Sequence, residues 1–221
     1  MKDFKIMIPK KLHMIWIGDE SKCPHEWIQT WKDNHPDWEF KLWGNKEYDE
    51  YPWKTKKQMQ QHYDAGQISG VANLMRYEIL FEHGGFYADA DSVSLKPLDD
   101  FLLQAELFAA YENEALEPGL IGNTYMGSQP GNPILKDLIE TIASTRNITR
   151  IWTWKPPFYK FRSSPNTSGP RFLTRAINRQ RQYATIWPSI LFFPQHHLDE
   201  SSREQNISYA DHFWACENKL F

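Results

Sequence analysis

Apolar positions along the chain alternate between two spacings. Leu12 to Ile17 is a nearly continuous apolar run closed by Gly18, which predicts a short buried strand over residues 12–17. From 69 to 82 the apolar residues fall at 71, 72, 74, 75, 79 and 80, the spacing of a helix buried over most of its surface. The same reading predicts further strands near 39–43, 86–88, 106–110 and 190–193, and further helices over 25–33, 55–64, 133–144 and 170–181. Helices and strands alternate, so the expected fold class is α/β, with a mostly parallel central sheet between helices. A chain of 221 residues can bury one substantial core, and a single domain over 1–221 is expected.

The chemistry concentrates at residues 84–91, Gly-Gly-Phe-Tyr-Ala-Asp-Ala-Asp. Gly84 sits where a helix C-cap belongs, Phe86 and Tyr87 restart an apolar strand, and Asp89 and Asp91 arrive at its C-terminal end. Ligands of open α/β sheets collect at that end of the strands. On extended backbone alternate residues share a side, so both carboxylates would leave in one direction with Ala90 turned away. Mg²⁺ or Mn²⁺ binds one or two such carboxylates together with phosphate oxygens of a substrate. The plain alternative is a solvated acidic turn; the preceding helix, glycine stop and strand favour a metal-diphosphate site. Two other residues have open readings at this point. Trp16 is either a core residue or a stacking platform for a nucleobase. His212 is either structural, a metal ligand or a donor to a phosphate.

The stretch from Ala72 to Leu98 resembles the DXD-containing sugar transferases of glycosyltransferase family 32, which include fungal initiating mannosyltransferases and bacterial capsular polysaccharide transferases. It is also similar to the catalytic domain of the large clostridial glucosylating toxins. Arg76, Gly84, Gly85, Tyr87, Asp89, Asp91, Pro97 and Leu98 carry the resemblance. A second match is Ile8-Pro9-Lys10-Lys11-Leu12-His13-Met14-Ile15-Trp16-Ile17-Gly18, and a third is Tyr209-Ala210-Asp211-His212-Phe213-Trp214. Thinner matches lie at Trp31 to Trp43, at Asn123 to Pro133, and at Ser168-Gly169-Pro170. Asn123, Met126 and Gly127 resemble a donor-facing loop.

The resemblance implies a GT-A type fold, with a nucleotide-binding half over about 1–100 and an acceptor-side half over about 101–221. It implies metal-dependent transfer from a nucleotide-sugar donor, a UDP-sugar ahead of a GDP-sugar, to a glycan or lipid-linked glycan acceptor with retention, within polysaccharide biosynthesis. Asp89, Asp91 and His212 would hold Mn²⁺ or Mg²⁺. Arg76 would grip the donor, Trp16 would stack on its base, and Asn73, Tyr87, Asn123 and Gly169 would complete the donor site. Asn73 stands where the family usually has an acid, so it keeps a hydrogen-bond acceptor and lacks the charge. A nucleotide-sugar hydrolase and a catalytically silent nucleotide-sugar-binding protein are the alternatives.

Composition trims this picture. A net charge of −3 argues against a nucleic-acid partner, which calls for a basic stripe. Ten tryptophans and a 15% aromatic content leave rings available for sugar faces after the core is filled. The aromatic and basic stretch from Trp152 to Arg162 reads as an acceptor-side loop, as a peripheral membrane contact, or as a plain structured loop. No stretch approaches the ~20 apolar residues of a membrane span, and residues 1–5 lack a signal-peptide apolar region, so a cytoplasmic location is expected. Cys23 and Cys216 are expected to be thiols.

Overall fold

The computed structural model describes residues 8–152, 159–161, 163–195 and 205–213. In chain order the first half consists of β1 (Lys11–Ile15), α1 (His25–Asn34), β2 (Glu39–Trp43), α2 (Asn45–Glu50), α3 (Lys56–Asp64), α4 (Ile68–His83), β3 (Gly85–Ala88) and β4 (Ser92–Ser94). The second half consists of β5 (Leu107–Tyr111), β6 (Ile121–Ser128), α5 (Pro133–Ser144), β7 (Arg150–Trp152), β8 (Tyr159–Phe161), α6 (Ser164–Thr167), α7 (Pro170–Arg179), β9 (Thr185–Trp187) and β10 (Ala210–His212). Six strands form the main sheet in the order β2-β1-β3-β6-β5-β9. The β2-β1, β1-β3 and β5-β9 pairings are parallel, while β3-β6 and β6-β5 are antiparallel. The expected α/β architecture with a mostly parallel sheet is therefore present.

The sheet separates two cores, and strand alternation assigns side chains between them. Phe86 and Ala88 of β3 join Leu12, Met14, Trp31 and Phe108 on one face. Tyr87 turns to the other face, with Leu74, Met75, Leu138 and Leu173 from α4, α5 and α7. Full burial of each such aliphatic side chain stabilises the fold by roughly 1.5–3 kcal/mol. Helix α4 is buried at Gly70, Val71 and every position from Asn73 to Leu80, as its apolar spacing predicted. It stops at Gly84, whose φ of 63° suits a residue without Cβ. The buried Glu78 fastens α4 to the start of α3 by accepting from the Lys54 and Thr55 backbone N–H groups at 2.7 and 2.8 Å. On the opposite face, the buried Trp31 of α1 donates from Nε1 to the Ser92 carbonyl at 3.2 Å, which fixes β4 just beyond the acidic pair.

Two expectations fail. Residues 190–193 do not form a strand: the strand is β9, which ends at Trp187 before Pro188, and Ser189–Leu191 make a 3₁₀ turn. The Ser189 carbonyl accepts from Phe192 N and Phe193 N, and both rings are buried, so the apolar run fills the core and pairs with nothing as a strand. Conversely, Asn123, Met126 and Gly127 belong to β6, an eight-residue strand buried at every position and central to the sheet, where a loop was expected. Its glycines mark close packing. A Cβ on Gly127 would lie 2.1 Å from a Phe108 ring carbon. A register shift between Phe108 and Ala110 also interrupts the β5–β6 pairing. The short helix α2 was not foreseen either; Glu47 Oε2 accepts from the Gly44 N–H at 2.9 Å at its start.

Candidate active site

A cavity of about 620 Å³ opens past the C-terminal ends of β1 and β3. Trp16, Asn73, Arg76, Tyr87, Asp89, Asp91, Asn123 and His212 all line it, so residues scattered over nearly two hundred positions converge. The volume lies within the roughly 300–1,000 Å³ typical of small-molecule sites.

One corner of the cavity is charged. Residues 89–91 form a turn between β3 and β4, not the extended segment expected, and the turn still brings the two carboxylates together. β10 pairs antiparallel with β4 so that His212 lies opposite Ser92, and the Phe213 N–H donates to the Asp91 carbonyl at 3.0 Å. This register puts His212 Nε2 3.0 Å from Asp91 Oδ1. One oxygen of each carboxylate and one ring nitrogen of His212 all lie within 4.8 Å of one another. Two carboxylates and an imidazole form a donor set that suits Mn²⁺ and accommodates Mg²⁺.

Asp89 and Asp91 are held differently. Asp89 Oδ1 accepts from Arg76 Nη2 at 2.5 Å and from the Tyr87 hydroxyl at 2.7 Å. The Arg76 side chain is only 3% exposed; Nη1 donates to the Asn123 carbonyl, Nη2 also donates to the Tyr87 hydroxyl at 3.2 Å, and the guanidinium lies 4.1 Å from the Tyr87 ring centroid. Burial opposes the charge on Arg76, and the Asp89 carboxylate together with Tyr87 and Tyr77 more than offsets it, so the guanidinium stays charged. Burial pushes the Tyr87 phenol far up, which keeps it a neutral donor. Arg76 thus borders the cavity with its fork directed at the protein, and it positions Asp89.

The facing wall is neutral. Asn73, Arg76 and Tyr77 fall on one face of α4. Asn73 Oδ1 accepts from Asn123 Nδ2 at 2.8 Å, and Tyr77 donates to the Ser168 carbonyl at 2.7 Å. Gly169 is the N-cap of α7 and stands behind this wall: a Cβ there would lie 2.8 Å from Pro165 Cα and 3.2 Å from Asn73 Nδ2. The glycine therefore permits Asn73 and the α6–α7 corner to approach. Trp16 is half-buried at the mouth, and its Nε1 donates to the Asp19 carbonyl at 2.9 Å.

Residues 23–108 match the family described as "Glycosyltransferase sugar-binding region containing DXD motif", and Asp89 and Asp91 fall inside the match. Residues 23–108 of this chain are therefore similar to the DXD-bearing region of glycosyltransferases. Inositol phosphoceramide mannosyltransferase 3 of Schizosaccharomyces pombe is 28% identical over 94% of this chain and 60% of its own length. The initiation-specific alpha-1,6-mannosyltransferase of Candida albicans is 31% identical over 48% of this chain and 30% of its own length. A mannosyl phosphorylinositol ceramide synthase of Saccharomyces cerevisiae is 27% identical over 80% of this chain and 44% of its own length. The chain thus spans 60% or less of each of these relatives. Among solved structures, the PaToxG glycosyltransferase superposes with a TM-score of 0.56 at 17% identity, covering 78% of this chain and 70% of that one. The UDP-bound glycosyltransferase domain of the YGT toxin gives 0.56 at 10% identity, with 82% and 80% covered. The catalytic domain of Clostridium novyi alpha-toxin gives 0.52 at 11% identity, with 81% and 74% covered. These likenesses establish the GT-A type fold expected from the DXD resemblance.

Beyond the expected residues, the cavity of the DXD region is bordered by Glu112 and Glu117, and Glu117 is paired with Arg171 at 3.3 Å. Nothing in their local sequence marks them, because β5 and the turn after it reach the cavity only through the sheet order. The expected acceptor-side loop falls mostly on residues 153–158 and 162, which lie outside the described residues, as do Trp214 and Cys216. No helix among the described residues is long and apolar enough to cross a membrane.

Proposed function

We propose that the chain is the catalytic region of a metal-dependent glycosyltransferase that moves a hexosyl group from a nucleotide-sugar donor to a hydroxyl of a glycolipid. The convergence of Asp89, Asp91 and His212 on the floor of one cavity supports this reading most strongly. The activities named for the relatives favour mannose as the sugar and an inositol phosphoceramide as the acceptor class, in place of a capsular polysaccharide. The UDP-bound neighbour keeps a UDP-sugar in view beside a GDP-sugar.

Asp91, Asp89 and His212 would hold Mn²⁺ or Mg²⁺, which when bound offsets the negative charge that grows on the departing diphosphate. Arg76 and Tyr87 hold Asp89 in place and spread its charge, so two carboxylates can share the corner. Ile15, Trp16 and Ile17 offer an apolar edge for the base, and the Asn73 and Asn123 amides offer neutral hydrogen-bonding groups for sugar hydroxyls. Transfer would proceed by same-face attack of the acceptor hydroxyl with retention of anomeric configuration, as the resemblance implies.

The test is thermal stabilisation and nucleotide release with UDP- and GDP-linked mannose and glucose, in Mn²⁺, Mg²⁺ or chelator, with and without inositol phosphoceramide. Metal-dependent stabilisation by one donor, with release accelerated by the acceptor, is the expected result. Release indifferent to acceptor would replace the reading with a hydrolase, and stabilisation without release would leave a binding protein.

A further inference from the structure

Behind the neutral wall, and outside every motif of the sequence, lies a buried histidine. His62 of α3 is fully buried, and its ring occupies the space a side chain at position 70 would need: a Cβ on Gly70 would lie 2.5 Å from ring atoms. Its Nδ1 is 2.9 Å from Gln67 Oε1, and its Nε2 is 3.3 Å from Ser168 Oγ. Ser168 Oγ in turn receives Asn73 Nδ2 at 3.4 Å, and Asn73 lines the cavity.

We propose that His62 is a positioning residue for the donor site, acting through Ser168 to hold position 73 as an oriented, neutral amide, and that this relay accepts Asn73 and rejects a carboxylate there. The inference rests on the donor-site reading above.

The directions of the hydrogen bonds carry the argument. Gln67 Oε1 can only accept, so His62 Nδ1 holds a proton. Burial keeps the ring neutral by pulling its pKa below the usual histidine value, with the Gln67 hydrogen bond opposing, and no carboxylate or cation contributes among the described residues. A neutral ring protonated at Nδ1 has a bare Nε2, which must accept. The single proton of Ser168 Oγ therefore goes to Nε2, and the weaker alternative at the Ser164 carbonyl, 3.4 Å away, is forgone. Ser168 can then only accept from position 73, which the Asn73 amide satisfies. Asn123 donates to Asn73, Asn73 to Ser168, Ser168 to His62 and His62 to Gln67, so every bond in the relay points the same way. A carboxylate at 73 has no proton to give. It would claim the Ser168 proton and oblige His62 to protonate Nε2, which places a charge or an inverted tautomer in a dry site.

The test uses the full chain with ¹⁵N-labelled histidine, reading the His62 ring nitrogens by NMR from pH 5 to 8 and assigning them with His62→Gln. In the parent protein Nδ1 is expected to be protonated and Nε2 bare. Asn73→Asp is expected to protonate Nε2, either as imidazolium with a pKa raised by about one unit or more or as the inverted tautomer, and to weaken donor binding about tenfold. A protonated Nε2 in the neutral parent, or an unchanged His62 signal in folded Asn73→Asp, would overturn the relay. An unchanged donor Kd in that variant would overturn the positioning role. If Asn73→Asp does not fold, Ser168→Ala serves: it removes the link without adding charge, and it must shift the His62 Nε2 signal. The ring spectra need neither donor nor turnover, so failure of the relay is distinct from failure of the transferase reading.

Discussion

The two sides of the cavity hold their polar groups by opposite means. At the acidic corner, Asp89 is tied to a charged Arg76 that is 3% exposed, and Asp91 is tied to His212. On the facing wall, Asn73, Asn123, Ser168 and His62 are linked by neutral hydrogen bonds alone. Opposite charges at close range in a poorly hydrated place attract strongly whatever their exact orientation, so the corner tolerates a turn in place of an extended strand. A neutral network depends on where each proton lies, so it tolerates little chemical change. The comparison separates a corner whose groups are held by charge from a wall whose groups are held by the direction of neutral hydrogen bonds.

The largest break in this comparison is Asp91→Ala. It should lower metal-dependent turnover by on the order of 10³-fold and abolish the metal-dependent part of donor stabilisation, with little change in melting temperature without ligand. Unfolding of that variant would make the aspartate a structural element. Arg76→Ala comes next: leaving Asp89 without its buried partner should cost about 3 kcal/mol in denaturant unfolding. A cost under about 1 kcal/mol would show that water compensates the carboxylate and that the corner is less dry than its geometry suggests.

Acid should act on the neutral wall. The folded-state pKa of His62 is depressed, so the unfolded chain takes up a proton more readily, and stability should fall as pH drops below about 6.5. Each such histidine contributes a slope of at most about 1.4 kcal/mol per pH unit. His62→Gln should flatten the profile by one proton's worth and leave the contribution of His13, which burial pulls down to about 4. An unaltered pH profile in a folded His62→Gln would mean that the ring is not held neutral. The mildest change is Tyr87→Phe, which deletes one hydrogen bond to Asp89 and should cost about 1 kcal/mol. A larger loss in turnover than in stability would place that hydroxyl in the donor's own contacts.

The helix at α4, the stop at Gly84, the strand after it and the acidic pair were legible because each is a local pattern: a buried-helix spacing, a positive φ and a short apolar run. β6 was not, since it is buried on both faces and carries glycines under Phe108 and Phe193. A fully buried strand shows no alternation, and its glycines read as turn signals when their neighbours are unseen. His62 carries no local mark, and nothing in the Ser168-Gly169-Pro170 match links Ser168 to it; the two are 106 positions apart and meet only because α3 and the α6–α7 corner pack on the same side of α4.

What the sequence determined by itself is β1, β2, β3, β5, α1, α3, α4, α5 and α7, together with the presence of a DXD-bearing strand end, because dihedral preference and apolar spacing act over a few residues. Tertiary structure alone decided that Arg76 turns to Asp89, that His212 reaches Asp91 through the β4–β10 register, and that a neutral amide at 73 is locked by a histidine from another helix. Hydrogen-bond partnership is settled by distances between side chains, and those distances exist only once the sheet and its helices have packed.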